Sequence, residues 1–229
     1  MTVLLLVRHG RTVANARGEL AGRRPGVELD GRGRAQAAAL ATRLAGLELS
    51  AVVSSPLERC QATAAAVLTG RSGPASHLEV DPRLTECGYG EWTGRPIAEL
   101  AGTELWQVVQ RHPSAAVFPG PDGEAMAAMQ ARAVAAVRDW NSRVGAGPYL
   151  VCTHGDVVKA LVADALGLHL DLFQRITVDP GSLTVIRYTP TRPFLLRLND
   201  TGGPLDGLWP VDRPAHPPSG DAVVGGGSG

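Results

Sequence analysis

The stretch "LLLVRHGRT", Leu4 to Thr12, decides how the rest of the chain is read. Leu4-Leu5-Leu6-Val7 is an apolar run of strand length, and it ends at once in Arg8, His9, Gly10 and Arg11. A buried strand is thus expected to carry a guanidinium and an imidazole side by side at its tip. A cation next to a histidine discourages protonation of the imidazole, so the pair makes sense only where an anion is expected.

Working outward, Gly33 to Leu47 places Leu40, Leu44 and Leu47 at spacings of four and three, which predicts an amphipathic helix. Ala51-Val52-Val53 reads as a second strand. The helix that follows it is expected to be capped by Ser55, with Pro56 in its first turn. "PYLVCTHG" (148–155) repeats the opening theme: a strand, a histidine, a glycine, then a predicted helix from Asp156 to Leu166. "SLTVIRY" (182–188) and "FLLRL" (194–198) read as further strands. Alternating strands and helices imply an α/β architecture with helices on both faces of a sheet, and sites in such folds form beyond the strand carboxyl ends. His9 and His154 both fall at such ends.

Segment 87–147, with Trp92, Trp106, Trp140 and the "PGPDGE" interruption at 119–124, is expected to be a helical excursion forming a lid or pocket wall. From 199 to 229 the chain turns Pro/Gly-rich, and a disordered tail is expected there, which leaves residues 1–198 as the domain.

Composition narrows the functional classes. The 229 residues suffice to bury a substantial core, and 44% hydrophobic with 19% charged residues is ordinary for a globular protein. The 22 Lys+Arg balance the 22 Asp+Glu, so no global field favours nucleic acid or an anionic membrane. Lys159 is the only lysine, and nothing functional follows from the arginine total. Cys60, Cys87 and Cys152 are odd in number and widely spaced, which argues against a disulfide framework or a zinc site. No apolar run reaches signal-peptide or membrane-span length, so a cytoplasmic location is expected. No nucleotide loop, dinucleotide fingerprint or metal-ligand spacing is present.

Four blocks occur in order: "LVRHGRTVAN" (6–15), "SSPLERCQATA" (54–64), "LTECGYGEWTG" (84–94) and "VCTHGDVVKAL" (151–161). In motif, order and spacing the chain resembles the histidine phosphatase superfamily, the phosphoglycerate mutase-like proteins, across residues 2–198. The run from Gly155 to Tyr188 is similar to a small actinobacterial-type branch. The resemblance implies a three-layer α/β sandwich with a mostly parallel central sheet. It also implies His9 as a nucleophile that takes a phosphoryl group. Arg8, Asn15, Arg59 and His154 would bind that group, and Glu86 would act as acid and then base. Forked guanidinium groups suit phosphate oxygens, and Arg59 would add the positive end of a helix N-terminus. Thr12 would support the site. Glu91 competes with Glu86 for the proton-transfer role, and position in the motif favours Glu86. Tyr89, Trp92 and Arg95 are candidates for the substrate pocket. His77, His112, His169 and His216 lack matching partners and read as surface or packing residues.

The expected function is therefore a phosphatase of histidine acid phosphatase type, a phosphoric monoester hydrolase with a phosphohistidine intermediate. Its substrate would be a small phosphomonoester. The mechanism implied needs neither metal nor cofactor. The alternative is a cofactor-dependent phosphoglycerate mutase, which would need a bisphosphoglycerate primer. A catalytically silent phospho-ligand-binding protein is a third reading. Only 67 residues lie between Glu86 and His154, and Arg95 and Arg111 have no adjacent arginine, which disfavours the mutase. A homodimer is left open.

Overall fold

Strand β1 (Thr2–Arg8) lies between two apolar layers, and its side chains alternate between them. Leu4 and Leu6 enter one core with Tyr149, Val151 and Ile186, while Val3, Leu5 and Val7 enter the other with Leu40, Leu44 and Val67. A strand buried on both faces needs an unbroken apolar run, which is why the opening residues show no polar alternation. The computed structural model describes residues 1–202 apart from 70, 72–74 and 76.

The sheet adds β2 (Val52–Ser54), β3 (Leu78–Val80), β4 (Gly147–Thr153), β5 (Leu183–Tyr188) and β6 (Pro193–Asp200), in the order β3-β2-β4-β1-β5-β6. The first four of these positions are parallel, and β5 and β6 are antiparallel to their neighbours. The short helix α1 (Val13–Arg17) follows the β1 tip. On one face lie α2 (Gly31–Leu44) and α3 (Glu58–Leu68). The other face is covered by α6 (Met126–Val144) and α7 (Gly155–Ala165), with the small helices α4 (Ile97–Leu100) and α5 (Glu104–Arg111) at its rim. This is the three-layer α/β sandwich with a mostly parallel sheet.

Several expected boundaries move, each for a local reason. Helix α2 begins two residues early because the Asp30 carboxylate accepts the Gly33 amide at 2.7 Å and caps it. Helix α3 begins at Glu58, not at Ser55-Pro56; its N-cap is Leu57, whose side chain has no acceptor, and the Ser55 hydroxyl bonds His154 at 2.7 Å and accepts from the Leu57 amide at 3.4 Å. Segment 87–147 is not one excursion. Its last helix, α6, forms a layer of the sandwich and buries Met129, Val137 and Trp140, so the wall-forming part is 87–125. Strand β6 runs to Asp200, two residues into the expected tail, where the Asp200 carboxylate meets Arg43 at 2.9 Å and Arg197 at 3.1 Å. The tail from 203 lies outside the described residues.

The loop leaving β1 rests directly on α2, backbone to backbone. A Cβ at Gly10 would sit 2.5 Å from the Gly33 carbonyl oxygen, and a Cβ at Gly33 would sit 2.0 Å from that of Arg11. Neither obstacle is a flexible side chain, so an added methyl must displace α2 or the loop. We expect Gly33→Ala to cost about 2 kcal/mol despite alanine's better helix propensity. Thermal unfolding checks this through a Tm lowered by about 4–8 °C; an unchanged Tm would show that the two backbones are not in tight contact.

Candidate active site

Parallel pairing of β1 and β4 sets Arg8 opposite Thr153, so the next residues, His9 and His154, emerge together at the carboxyl edge of the sheet. The His9 amide donates to the Thr153 carbonyl at 3.0 Å, and the two imidazole centroids lie 5.3 Å apart. Both histidines are buried. His9 opens onto a cavity of about 360 Å³ that is also lined by Arg8, Asn15, Arg59 and Glu86, while His154 is held against Arg59 and Ser55.

His9 Nδ1 lies 2.8 Å from the carbonyl oxygen of Gly10. A carbonyl only accepts, so this contact assigns the proton to Nδ1 and leaves the Nε2 lone pair free. Nε2 instead accepts from Arg59 Nε at 3.3 Å. The same guanidinium donates through Nη2 to His154 Nδ1 at 3.2 Å and to the Gly22 carbonyl at 2.7 Å. With Nδ1 of His154 an acceptor, its Nε2–H donates to Ser55 Oγ at 2.7 Å. Burial, then Arg59, holds the pKa of both imidazoles well below the ordinary histidine range. Both are therefore neutral, and the His9 Nε2 lone pair is engaged only by the long contact from Arg59.

Two cations face this pair. Arg59 is 2% exposed. Arg8 donates Nη1 to the Val178 carbonyl at 2.6 Å. Among the described residues, buried Arg59 Nη1 and Arg8 Nε have no hydrogen-bond partner. Leaving charged donors buried and unpaired is costly, so a ligand oxygen belongs there. Gly155 makes room for this arrangement: a Cβ there would lie 3.3 Å from Arg8 Nε.

Glu86 enters from the turn after β3. Its Oε1 accepts from the Cys87 amide at 3.0 Å, and its Oε2 stands 3.9 Å from His154 Nδ1. Burial, followed by the Asp156 carboxylate, raises its pKa to about 7 against the opposing pull of Arg59 and Arg8. The turn is held from behind. Arg132 of α6 donates to the carbonyls of Arg83 and Thr85 at 2.7 Å and of Glu86 at 3.0 Å, and pairs with Glu124 at 2.7 Å. Arg23 also reaches the Glu86 carbonyl at 2.8 Å and Glu124 at 2.8 Å. Glu124 closes the "PGPDGE" stretch, so that interruption braces the Glu86 turn.

The other expected residues divide. Asn15 lines the cavity, and its Oδ1 accepts from the Thr12 amide at 3.1 Å and hydroxyl at 3.0 Å, which leaves its amide NH2 for a ligand. Thr12 thus supports the site through Asn15 and the start of α1. Tyr89 lines the cavity and donates its hydroxyl to Asp156 at 2.7 Å. Trp92 is not in the wall: it packs edge-on to Phe118 at 5.4 Å and stacks on Trp106 at 6.2 Å in the core. Arg95 also faces away, toward Glu99 at 3.8 Å, while its carbonyl accepts from Leu20, which does line the cavity. Glu91 is exposed outside the cavity. His77 is exposed, His112 and His169 lie near Asp171 at the surface, and His216 is outside the described residues.

Three residues with a place in the site were missed. Ser55 was read only as a cap, Asp156 only as a helix start, and Lys159 only as a compositional oddity. The "HGD" motif and the solitary lysine were the signals present. Among the described residues, no three His, Cys, Asp or Glu side chains cluster as a metal site, and no helix is long and apolar enough to cross a membrane.

Two neutral histidines and two guanidinium groups, each with one unpartnered buried nitrogen, meet at the carboxyl edge of a mostly parallel sheet, an arrangement suited to holding a phosphoryl group. The chain belongs to the histidine phosphatase superfamily (branch 1), whose model matches residues 4–201. It is 30% identical over 210 residues to phosphoserine phosphatase 1 of Hydrogenobacter thermophilus, covering 88% of this chain and 93% of the relative. It is also 30% identical over 188 residues to the adenosylcobalamin/alpha-ribazole phosphatase of Escherichia coli, covering 80% and 88%. Among solved structures, Bacillus stearothermophilus YhfR superimposes with a TM-score of 0.79 at 28% identity, covering 87% of this chain and 98% of that one.

Ser55 touches no ligand-facing atom of His9, so its contribution is separable. We expect Ser55→Ala to lower kcat about tenfold by releasing the His154 ring, the size of one lost buried hydrogen bond, with the fold intact by circular dichroism. An unchanged kcat would show that the hydroxyl does not orient His154.

Proposed function

We propose that this protein hydrolyses small phosphomonoesters through a phosphohistidine on His9. One observation carries the reading: a neutral His9 whose Nδ1–H is tied to Gly10 and whose Nε2 faces a cavity containing unpartnered guanidinium nitrogens. In the first step His9 Nε2 attacks phosphorus as the bond to the ester oxygen breaks, and Glu86 gives its proton to that oxygen. In the second, Glu86 takes a proton from water as the water oxygen attacks phosphorus and the N–P bond breaks, which returns His9 neutral and releases phosphate. Arg8, Arg59 and the Asn15 amide are assigned to the non-bridging oxygens, with His154 flanking the phosphoryl group. These cationic side chains supply the charge stabilisation, and no metal is assigned a part.

The relatives support hydrolysis in general and no single substrate, since the two named above act on unlike molecules. Arg95, facing away from the cavity, leaves the mutase alternative without a paired-arginine grip. Assembly of Arg8, His9, Arg59 and Glu86 around one cavity, with His154 against Arg59 and Glu86, argues against a silent binding protein.

The test is phosphate release in EDTA from p-nitrophenyl phosphate and from an alkyl ester, with wild type and His9→Ala. Loss of at least a hundredfold in His9→Ala is expected; undiminished turnover would mean a different nucleophile.

The acid-phosphatase character has its own test in the pH profile. Free enzyme is competent with His9 neutral and Glu86 protonated. His9 sheds its proton well below neutrality, whereas Glu86 loses its own near pH 7. We therefore expect kcat/KM to fall as pH rises through about 7 and to be sustained on the acidic side. Glu86→Gln should remove this limb. It should also cost about 10²–10³ on an alkyl ester and less on p-nitrophenyl phosphate, whose phenolate leaves without protonation. Equal losses on both esters would assign Glu86 a binding role instead.

A further inference from the structure

We propose that Lys159 forms a second subsite of the cavity, binding a carboxylate carried by the alcohol portion of the phosphomonoester. The inference rests on the phosphatase reading above and names the class of substrate that the same cavity selects.

Lys159 lies on α7 one turn beyond Asp156 and lines the same cavity as Arg8, His9, Asn15 and Arg59. It is the only lysine among 22 basic residues, so its place at this wall is not the arginine background of the chain. The ammonium is held in position without being neutralised. Gln174 donates its amide to the Val109 carbonyl at 3.3 Å, which turns its Oε1 toward Lys159 Nζ at 3.1 Å. The buried Phe173 ring lies 5.3 Å from the ammonium. The Asp156 carboxylate is 4.0 Å away, beyond hydrogen-bond reach, and already accepts from Tyr89 at 2.7 Å. An ammonium has three donors. One is occupied by Gln174, and the side chain is 20% exposed at the cavity.

The cavity also distinguishes a carboxylate from a second phosphate. Two guanidinium groups with unpartnered nitrogens already serve the transferred phosphate, while Lys159 offers one ammonium beside Asp156. Lys159 and Asp156 cancel there, so a carboxylate leaves the group with one net negative charge and a phosphate dianion with two, and the smaller repulsion favours the carboxylate. The apolar side chains of Leu20, Ile97 and Ile176 also line the cavity, and a short carbon skeleton suits them.

Two esters of nearly the same size test this: 3-phosphoglycerate, which carries a carboxylate, and glycerol 3-phosphate, which carries a hydroxymethyl group in its place. Phosphate release is measured for wild type, Lys159→Met and Lys159→Arg. Wild type is expected to favour 3-phosphoglycerate in kcat/KM by about tenfold or more, the size of one charge-assisted hydrogen bond. Lys159→Met, which keeps the apolar stem over Phe173, should bring the ratio close to one, mainly through KM for 3-phosphoglycerate. Lys159→Arg should recover part of it. A ratio near one in wild type, or unchanged in Lys159→Met, overturns the subsite. A wild type inactive on both esters overturns the phosphatase reading instead. The subsite is then decided by calorimetric titration with 3-phosphoglycerate, where wild type should bind about tenfold tighter than Lys159→Met and equal affinity overturns it.

Discussion

A fully buried guanidinium that donates to two imidazoles is the constraint on which this site depends. Arg59 has no carboxylate partner among the described residues, and its Nε and Nη2 donate to His9 and His154. A buried cation without a counter-ion is unstable by itself, and two neutral rings only partly replace water. The arrangement is therefore organised for an anion that has yet to arrive. It also explains why neither histidine is protonated: each would have to charge within 3.3 Å of a fixed cation. In the reaction proposed above, Arg59 would exchange its weak bond to His9 Nε2 for stronger bonds to phosphate oxygens, and that exchange would free the lone pair for attack.

The scaffold makes this knot possible through register. Arg8 opposite Thr153, with the two strands parallel, places a histidine at each tip on the same side of the sheet. A slip of one residue would point one ring at the opposite face. The third contributor, Glu86, is tied to the same edge, because the Thr153 hydroxyl donates to the Leu84 carbonyl at 2.6 Å. From the far side, Arg132 and Glu124 hold the turn that carries Glu86, and the short bonds from β4 and α6 fix it between two layers.

How much of this could be read in the sequence follows from the range of each interaction. The double-sided burial of β1 shows in four consecutive apolar residues, and the α/β alternation follows from strand and helix periods. His9 and His154 were legible because each is adjacent to its own strand end. Ser55 was misread because the local rule, a serine before a proline as helix cap, competes with a bond to a ring 99 residues away. Trp92 and Arg95 were drawn toward the pocket by their nearness to Tyr89 in the chain. The 3-10 turn at Gly90–Trp92 rotates the indole into the core instead, and Arg95 lends only its backbone to the wall. Lys159 carried a signal in its rarity, but rarity does not say which cavity a side chain faces.

Burial does opposite things to the two proton-handling groups, and that opposition separates their roles. Desolvation disfavours the charged form of each, so it pushes the imidazole of His9 down and the carboxyl of Glu86 up. For His9 the neighbouring arginines act in the same direction as burial. For Glu86 they act against it, and the Asp156 carboxylate offsets them. Without Asp156 the guanidinium groups of Arg59 and Arg8 would tend to ionise Glu86. Asp156 can serve this purpose because Tyr89 fixes it and because it sits in the first turn of α7, where the helix end stabilises its charge. The site thus holds a neutral imidazole together with a carboxyl that keeps its proton up to about pH 7, in a setting whose arginines would otherwise ionise the carboxyl.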